Sequence, residues 1–370
     1  MSTLYKNFRT SMYIGIAATL LTACGAGLKA KKYNTSNGEK LTLGVNNPIC
    51  QEGVSIQKGR VIDTKSGKAL QNVEVDIAGC KTYTDANGYY ALSNIPSTSR
   101  VAINFEKKGY MKHSSIITIT EKNPNYVEFA LAGDKKSWSF SSKNGTSDNN
   151  VIISSETQYT TNNNENYNSE IKASYSAYKI NANTIEKLPG DYRGIDSNGL
   201  IVDFVSYALM NLELKDSDGN RLKNSEPITL KVSNLSNLKE DTIPLWYYNY
   251  DRGIWIEDGL AEKDENGNFI CEISHPGTWS LSKPIESEMG IYIGRIVDAD
   301  QNPISHVRVK AEGQNWINED LTTDENGEFK IYVAPNKTFK LSAYDYKEKF
   351  SAKYRDTIPA ISAGDVVEEN

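Results

Sequence analysis

Histidine is nearly absent, with 3 in 370 residues, and cysteine is scarce at 4. Zinc sites and thiol–imidazole catalysis draw on these two side chains, and His113, His275 and His306 stand too far apart for ligand pairs at helical or strand spacing. No metal site is read from the chain. G-x-S-x-G, P-loop and dinucleotide motifs are also missing, so no catalytic residue or cofactor is assigned and the chain is not read as an enzyme. Positive charge is not in excess: 41 Lys+Arg against 47 Asp+Glu give a net charge of -6. Without a basic field, nucleic acid is excluded as a partner. The longest apolar run, Met12 to Leu21, is too short for the ~20 residues a spanning helix needs. What is present is 38% hydrophobic and 24% charged residues with a mean hydropathy of -0.53. That balance excludes a polytopic membrane protein and a wholly disordered chain. At ~150 residues per domain, the length predicts two or three domains.

The N-terminus is different in kind. Lys6 and Arg9 precede the apolar run, and Leu21-Thr22-Ala23-Cys24 follows it, which is the layout of a cleavable export signal. Leu21 to Cys24 resembles the lipobox of bacterial lipoprotein precursors. The resemblance implies that residues 1–23 are removed, that Cys24 is lipidated through its sulfur, and that the mature chain is held on a membrane of the bacterial cell envelope. Gly25 lacks the Asp associated with inner-membrane retention, which points to the outer membrane. Residues 24–53, rich in Gly, Asn, Lys and Ser, read as a flexible tether.

An internal repeat organises the rest. Gly59-Arg60-Val61-Ile62-Asp63 recurs as Gly294-Arg295-Ile296-Val297-Asp298. Thr84-Asp85-Ala86-Asn87-Gly88-Tyr89-Tyr90 recurs as Thr323-Asp324-Glu325-Asn326-Gly327-Glu328-Phe329, with Pro96 and Pro335 in the same register. Alternating Val73, Val75 and Ile77, and Val101, Ile103 and Phe105, predict strands buried on one face, and each Asn-Gly predicts a tight hairpin. With Ala69-Leu70-Gln71-Asn72-Val73-Glu74-Val75 recurring more loosely as Pro303-Ile304-Ser305-His306-Val307-Arg308-Val309, the pattern G-x-V-x-D, P/A-L-x-x-V-x-V, T-D-x-x-G-x-Y/F, P, G-Y resembles the carboxypeptidase regulatory-like domain, a prealbumin-like (transthyretin-like) β-sandwich. That resemblance implies an accessory module without catalysis. The copy at 54–132 follows it throughout, including Gly109-Tyr110. The copy at 289–370 departs, with Ile304 in place of Leu and Tyr344-Asp345-Tyr346 where Gly-Tyr would fall.

Between the copies, residues 134–287 show strand alternation at Ile171 to Ala177 and Ile228 to Val232, and a hairpin bent at Asp251-Arg252-Gly253. Ile243-Pro244-Leu245-Trp246-Tyr247-Tyr248, the Trp255 segment and Ser274-His275-Pro276-Gly277 resemble a stretch of cartilage-intermediate-layer-type extracellular proteins. The expected fold is therefore all-β, with serial β-sandwich domains (prealbumin-like or Ig-like) after the signal peptide and tether.

Trp246, Tyr248, Tyr250 and Trp255 are candidate ligand contacts, since alternate aromatics on one strand face suit either a sugar ring or a sandwich core. Cys50 and Cys80 are the candidate disulfide, with all cysteines reduced as the alternative. Asp216-Ser217-Asp218-Gly219-Asn220 lacks the spacing of a calcium loop and reads as a turn. The functional expectation is a scaffold that meets a protein partner in the envelope or at the cell surface. The alternative is a carbohydrate-binding protein using an exposed aromatic hairpin.

Overall fold

The computed structural model describes residues 53–368 except 122–124, 134–135, 149, 182, 234, 236–237, 286–288, 306, 314–315, 321–322 and 346–349. The first module is built from β1 (Ser55–Asp63), β2 (Glu74–Ile77), β3 (Cys80–Tyr83), β4 (Tyr89–Ile95), β5 (Thr98–Glu106), β6 (His113–Ile119) and β7 (Asn125–Leu131). Alternate residues of these strands point inward, so Val61, Val75, Ile77, Ile103, Phe105 and Phe129 meet in one core. A three-stranded sheet, β4-β1-β7, faces a four-stranded sheet, β3-β2-β5-β6. β1 runs antiparallel to β4 and parallel to β7.

The repeated residues make specific bonds. The Thr84 hydroxyl accepts from Val73 N and donates to Leu70 O, at 2.9 and 2.6 Å. Asp85 Oδ1 accepts from Asn87 N and Tyr89 N, both at 2.8 Å, which closes the hairpin. Gly88 has φ +79°, and a Cβ there would lie 2.5 Å from Val61 O. Arg60 Nε reaches across the hairpin to Asn87 O.

The middle module contains β8 (Lys136–Ser141), β9 (Thr146–Asp148), β10 (Val151–Ile153), β11 (Tyr159–Thr160), β12 (Asn166–Tyr167), β13 (Glu170–Lys179), β14 (Arg193–Ile195), β15 (Ile201–Lys215), β16 (Lys223–Asn224), β17 (Ile228–Val232), β18 (Thr242–Asn249), β19 (Ile254–Lys263), β20 (Phe269–Ile273) and β21 (Gly277–Pro284). Its principal sheet has eleven strands, ordered β8-β13-β15-β21-β18-β19-β20-β17-β10-β9, with β14 paired to both β15 and β19. β14 thereby closes β15, β21, β18 and β19 into a ring.

Two cores result. Ile171, Met210, Leu212, Leu230, Leu245, Phe269 and Trp279 belong to the larger one. Phe204, Leu209, Trp246, Tyr248 and Trp255 belong to the smaller one. The central strands are buried on both faces, and a register shift between Ser206 and Ala208 reverses their parity. Phe204 before the shift and Leu209 after it therefore serve the same core. Gly194 allows this closure: a Cβ there would lie 2.5 Å from the Trp246 ring.

The third module repeats the first. Its strands are β22 (Gly290–Arg295), β23 (Arg308–Glu312), β24 (Ile317–Asp320), β25 (Glu328–Val333), β26 (Phe339–Asp345), β27 (Phe350–Ile358) and β28 (Val366–Glu368). They form sheets β25-β22-β28 and β24-β23-β26-β27, with β28 parallel to β22. Thr323 bonds Val307 N and Ile304 O as Thr84 does its counterparts, and Asp324 caps its hairpin as Asp85 does. Of the departing stretch, Tyr344 and Asp345 end β26, and Tyr346 lies outside the described residues. β28 is short and Val366 and Val367 are exposed, whereas β7 is longer and largely buried. The chain is thus all-β, a series of sandwich modules.

Candidate functional site

The aromatic hairpin, expected to be exposed in the carbohydrate reading, is core. Trp246 and Trp255 are 0% exposed and Tyr248 is 4% exposed. Each polar tip is satisfied internally: Trp246 Nε1 donates to Ser282 O at 2.9 Å, Trp255 Nε1 to Pro189 O at 3.0 Å, and Tyr248 Oη to Ser114 Oγ at 3.0 Å. Tyr250 is half-buried, and its hydroxyl donates to Lys112 O at 2.9 Å while Lys112 Nζ lies 4.5 Å from its ring centre. Trp246, Tyr248 and Trp255 thus take the sandwich-core alternative, whereas Tyr250 keeps part of its ring exposed. Burial pushes the hydroxyls of Tyr248 and Tyr250 far above the ordinary tyrosine range.

These same rings bind the modules together. Tyr248 and Tyr250 reach Ser114 and Lys112 of the first module, and Gly190 N donates to Ser114 O at 2.8 Å. Arg100 of β5 holds both oxygens of Asp191 at 3.2 Å and Gly253 O at 2.7 Å. Arg221 reaches Glu106 at 2.7 Å. Met111 of the first module and Ile317 of the third both join the smaller core of the middle one. The end modules also touch directly: Arg308 donates to Glu128 O at 2.9 Å and lies 5.5 Å from the centre of the Phe129 ring.

All three modules meet at a cleft of about 200 Å³. His113 and Ser115 line it from the first, Arg193 and Asp203 from the middle, and Arg308 and Lys330 from the third. Arg193 and Asp203 pair at 3.5 Å. Burial raises the Asp203 carboxyl, with Arg193 opposing the shift. Burial disfavours charge on Arg193 too, but Asp191 and Asp203 outweigh it and push the guanidinium above its usual range. His113 is 5% exposed, and burial, with Arg308 and Lys187 nearby, depresses its imidazole to about 3. Nothing in the sequence marked this cleft, because its lining is drawn from three different modules.

The remaining expectations divide. Cys24, Cys50 and His306 lie outside the described residues. Cys80 is buried and disulfide-bonded, and Cys271 is a free, buried thiol with its pKa pushed up to about 12 by burial. His275 packs against Tyr247 and Trp279, with ring centres 5.0 and 5.1 Å away. Asp216 accepts from Asn220 N at 2.8 Å and Nδ2 at 2.9 Å, which is turn chemistry. Among the described residues, no three His, Cys, Asp or Glu side chains are grouped to hold a metal ion.

Residues 57–139 match the family model of the CarboxypepD_reg-like domain. No curated protein matches the chain. Solved structures similar to it include the Bacillus anthracis TIE protein at 12% identity and TM-score 0.20, covering 85% of this chain and 50% of that one. This chain therefore spans about half the length of that protein. The major pilin subunit BcpA of Bacillus cereus aligns at 12% identity and TM-score 0.17, covering 85% and 97%. The major pilin SpaD of Corynebacterium diphtheriae aligns at 8% and 0.20, covering 87% and 98%.

Proposed function

We propose that this chain is a non-catalytic scaffold of the bacterial cell envelope, held by acyl chains on Cys24 and presenting its three sandwiches as one rigid body to protein partners. The observation that carries the reading is the shared smaller core, in which Met111 and Ile317 from the two end modules pack around Trp246 and Trp255. Modules that only linked separate activities would need no common core, whereas a spacer or platform must transmit position and load without bending. Exposed strand edges such as β8 are then the docking surfaces. Cys50 pairs with Cys80 and fastens the tether to the first sandwich, which leaves Cys24 free for its thioether. Two acyl chains or more are needed for stable retention, since one holds marginally.

Mass spectrometry of the N-terminal peptide from membrane-extracted protein tests the anchor: a diacylglyceryl-modified Cys24 is expected, and an unmodified thiol in protein that washes off in buffer overturns it. Limited proteolysis tests the scaffold. One resistant core spanning the three modules is expected. Release of separate modules at the lowest protease dose refutes the single rigid body.

A further inference from the structure

The strands that open and close the first module are hydrogen-bonded to each other and run in the same direction. β1 lies beside β7 over seven register pairs, from Gln57 opposite Asn125 to Asp63 opposite Leu131. The chain enters the module at the start of β1 and leaves it at the end of β7, so entry and exit sit at opposite ends of one parallel pair. Tension between these points runs along the strands. It strains all the bonds of the pair together, whereas an antiparallel pair pulled from adjacent ends opens one bond at a time. Forced unfolding is governed by the barrier to opening, which the first geometry raises. Side chains reinforce the pair: Asn125 Nδ2 donates to Ile56 O at 3.3 Å, and Arg60 meets Glu128 at 3.5 Å. Gly59 lets the two strands approach, since a Cβ there would run into Val127 O and the Tyr90 ring. β1 is also the central strand of its sheet, held on the other side by β4.

Cys80 begins β3 on the facing sheet and is disulfide-bonded. With Cys50 as its partner, the tether is bonded to both sheets. The third module repeats the parallel closure in a weaker form: β22 and β28 share three register pairs, and Val366 and Val367 of β28 are exposed. The firmer grip is the one next to the tether.

We propose that the first module is a tension-resisting clamp, which passes the pull between the membrane anchor and a protein partner along β1 and β7 without unfolding. This rests on the reading of the chain as an anchored scaffold, because a partner moving against a fixed anchor is the source of the pull. The two are separable. An unacylated Cys24 would remove the anchor and leave the mechanical resistance, and a module that yields easily would leave the acylation untouched.

The test is single-molecule force spectroscopy of the full chain. In reductant, a handle on the tether is pulled against a second handle either at Gly133, exposed just beyond β7, or at Ser93, exposed on β4 beside the start of β1. The Gly133 direction shears β1 from β7 and the Ser93 direction peels β1 from β4, so the first module should open at the higher force with Gly133. Pulled between tether and C-terminus, the third module should give way before the first. Without reductant, the disulfide should withhold the ~30 residues between Cys50 and Cys80 and shorten the length released by the first module by about 100 Å, at ~3.6 Å per residue; an unchanged length refutes the disulfide's part in the grip. Equal forces in the two directions, or a first module that yields before the third, overturn the proposal.

Discussion

Acidification should loosen the module junction through His113. The imidazole is buried, and its pKa falls from the ordinary 6.5 to about 3. Folded protein therefore keeps the ring neutral where the unfolded chain protonates it. The unfolded state binds the extra proton between pH 6.5 and about 3, so stability is full above this window and is lost as pH falls through it. From pH 7 to pH 5 the loss is about 2 kcal/mol, at 1.36 kcal/mol per pH unit below 6.5. For a body of more than 300 residues unfolding as one unit that corresponds to a fall in Tm of roughly 3 °C. Carboxylates with lowered pKa, such as Glu74 and Asp264, lose their contribution only below about pH 4.5. Asp203, with its raised pKa, acts in the opposite sense and gains as pH falls. The assay is differential scanning calorimetry of the parent and His113→Gln at pH 7 and pH 5. The variant should show a markedly smaller Tm difference between the two pH values. An equal difference in the two proteins would refute the assignment.

Trp255→Ala should destabilise by about 3–5 kcal/mol, because it empties the centre of the core shared by the modules; a melting temperature unchanged by calorimetry would contradict that placement. Tyr248→Phe removes only the bond to Ser114 and should cost about 1 kcal/mol in denaturant titration, with the penalty confined to the transition that separates the first module. Gly88→Ala forces a side chain into a left-handed turn and against Val61 O, so a loss of about 1–3 kcal/mol is expected by thermal melting, with Gly67→Ala, whose Cβ meets nothing within 4 Å, as the milder control. Peptide mapping without reductant should recover Cys80 linked to Cys50. Because the closed loop is about 30 residues, reduction should cost roughly 3–4 kcal/mol in the first module. Linkage to Cys24 instead would defeat the lipid anchor.

The amino-acid order alone determined the local chemistry. Thr84-Asp85-Ala86-Asn87-Gly88 and Thr323-Asp324-Glu325-Asn326-Gly327 make their bonds within a hairpin and the loop before it, so motif and geometry coincide. Strand alternation at Val73, Val75 and Ile77 likewise follows from a period of two against one buried face. Trp246, Tyr248, Tyr250 and Trp255 show where this reasoning stops. Period two places side chains on opposite faces of a strand, but it does not say whether the second face meets water or another core. That was decided by β14 closing the ring and by the first and third modules sending Met111 and Ile317 into it. The cleft with His113, Arg193 and Arg308 is likewise a product of tertiary structure, since those side chains are brought together by packing between modules and share no local signal in the chain.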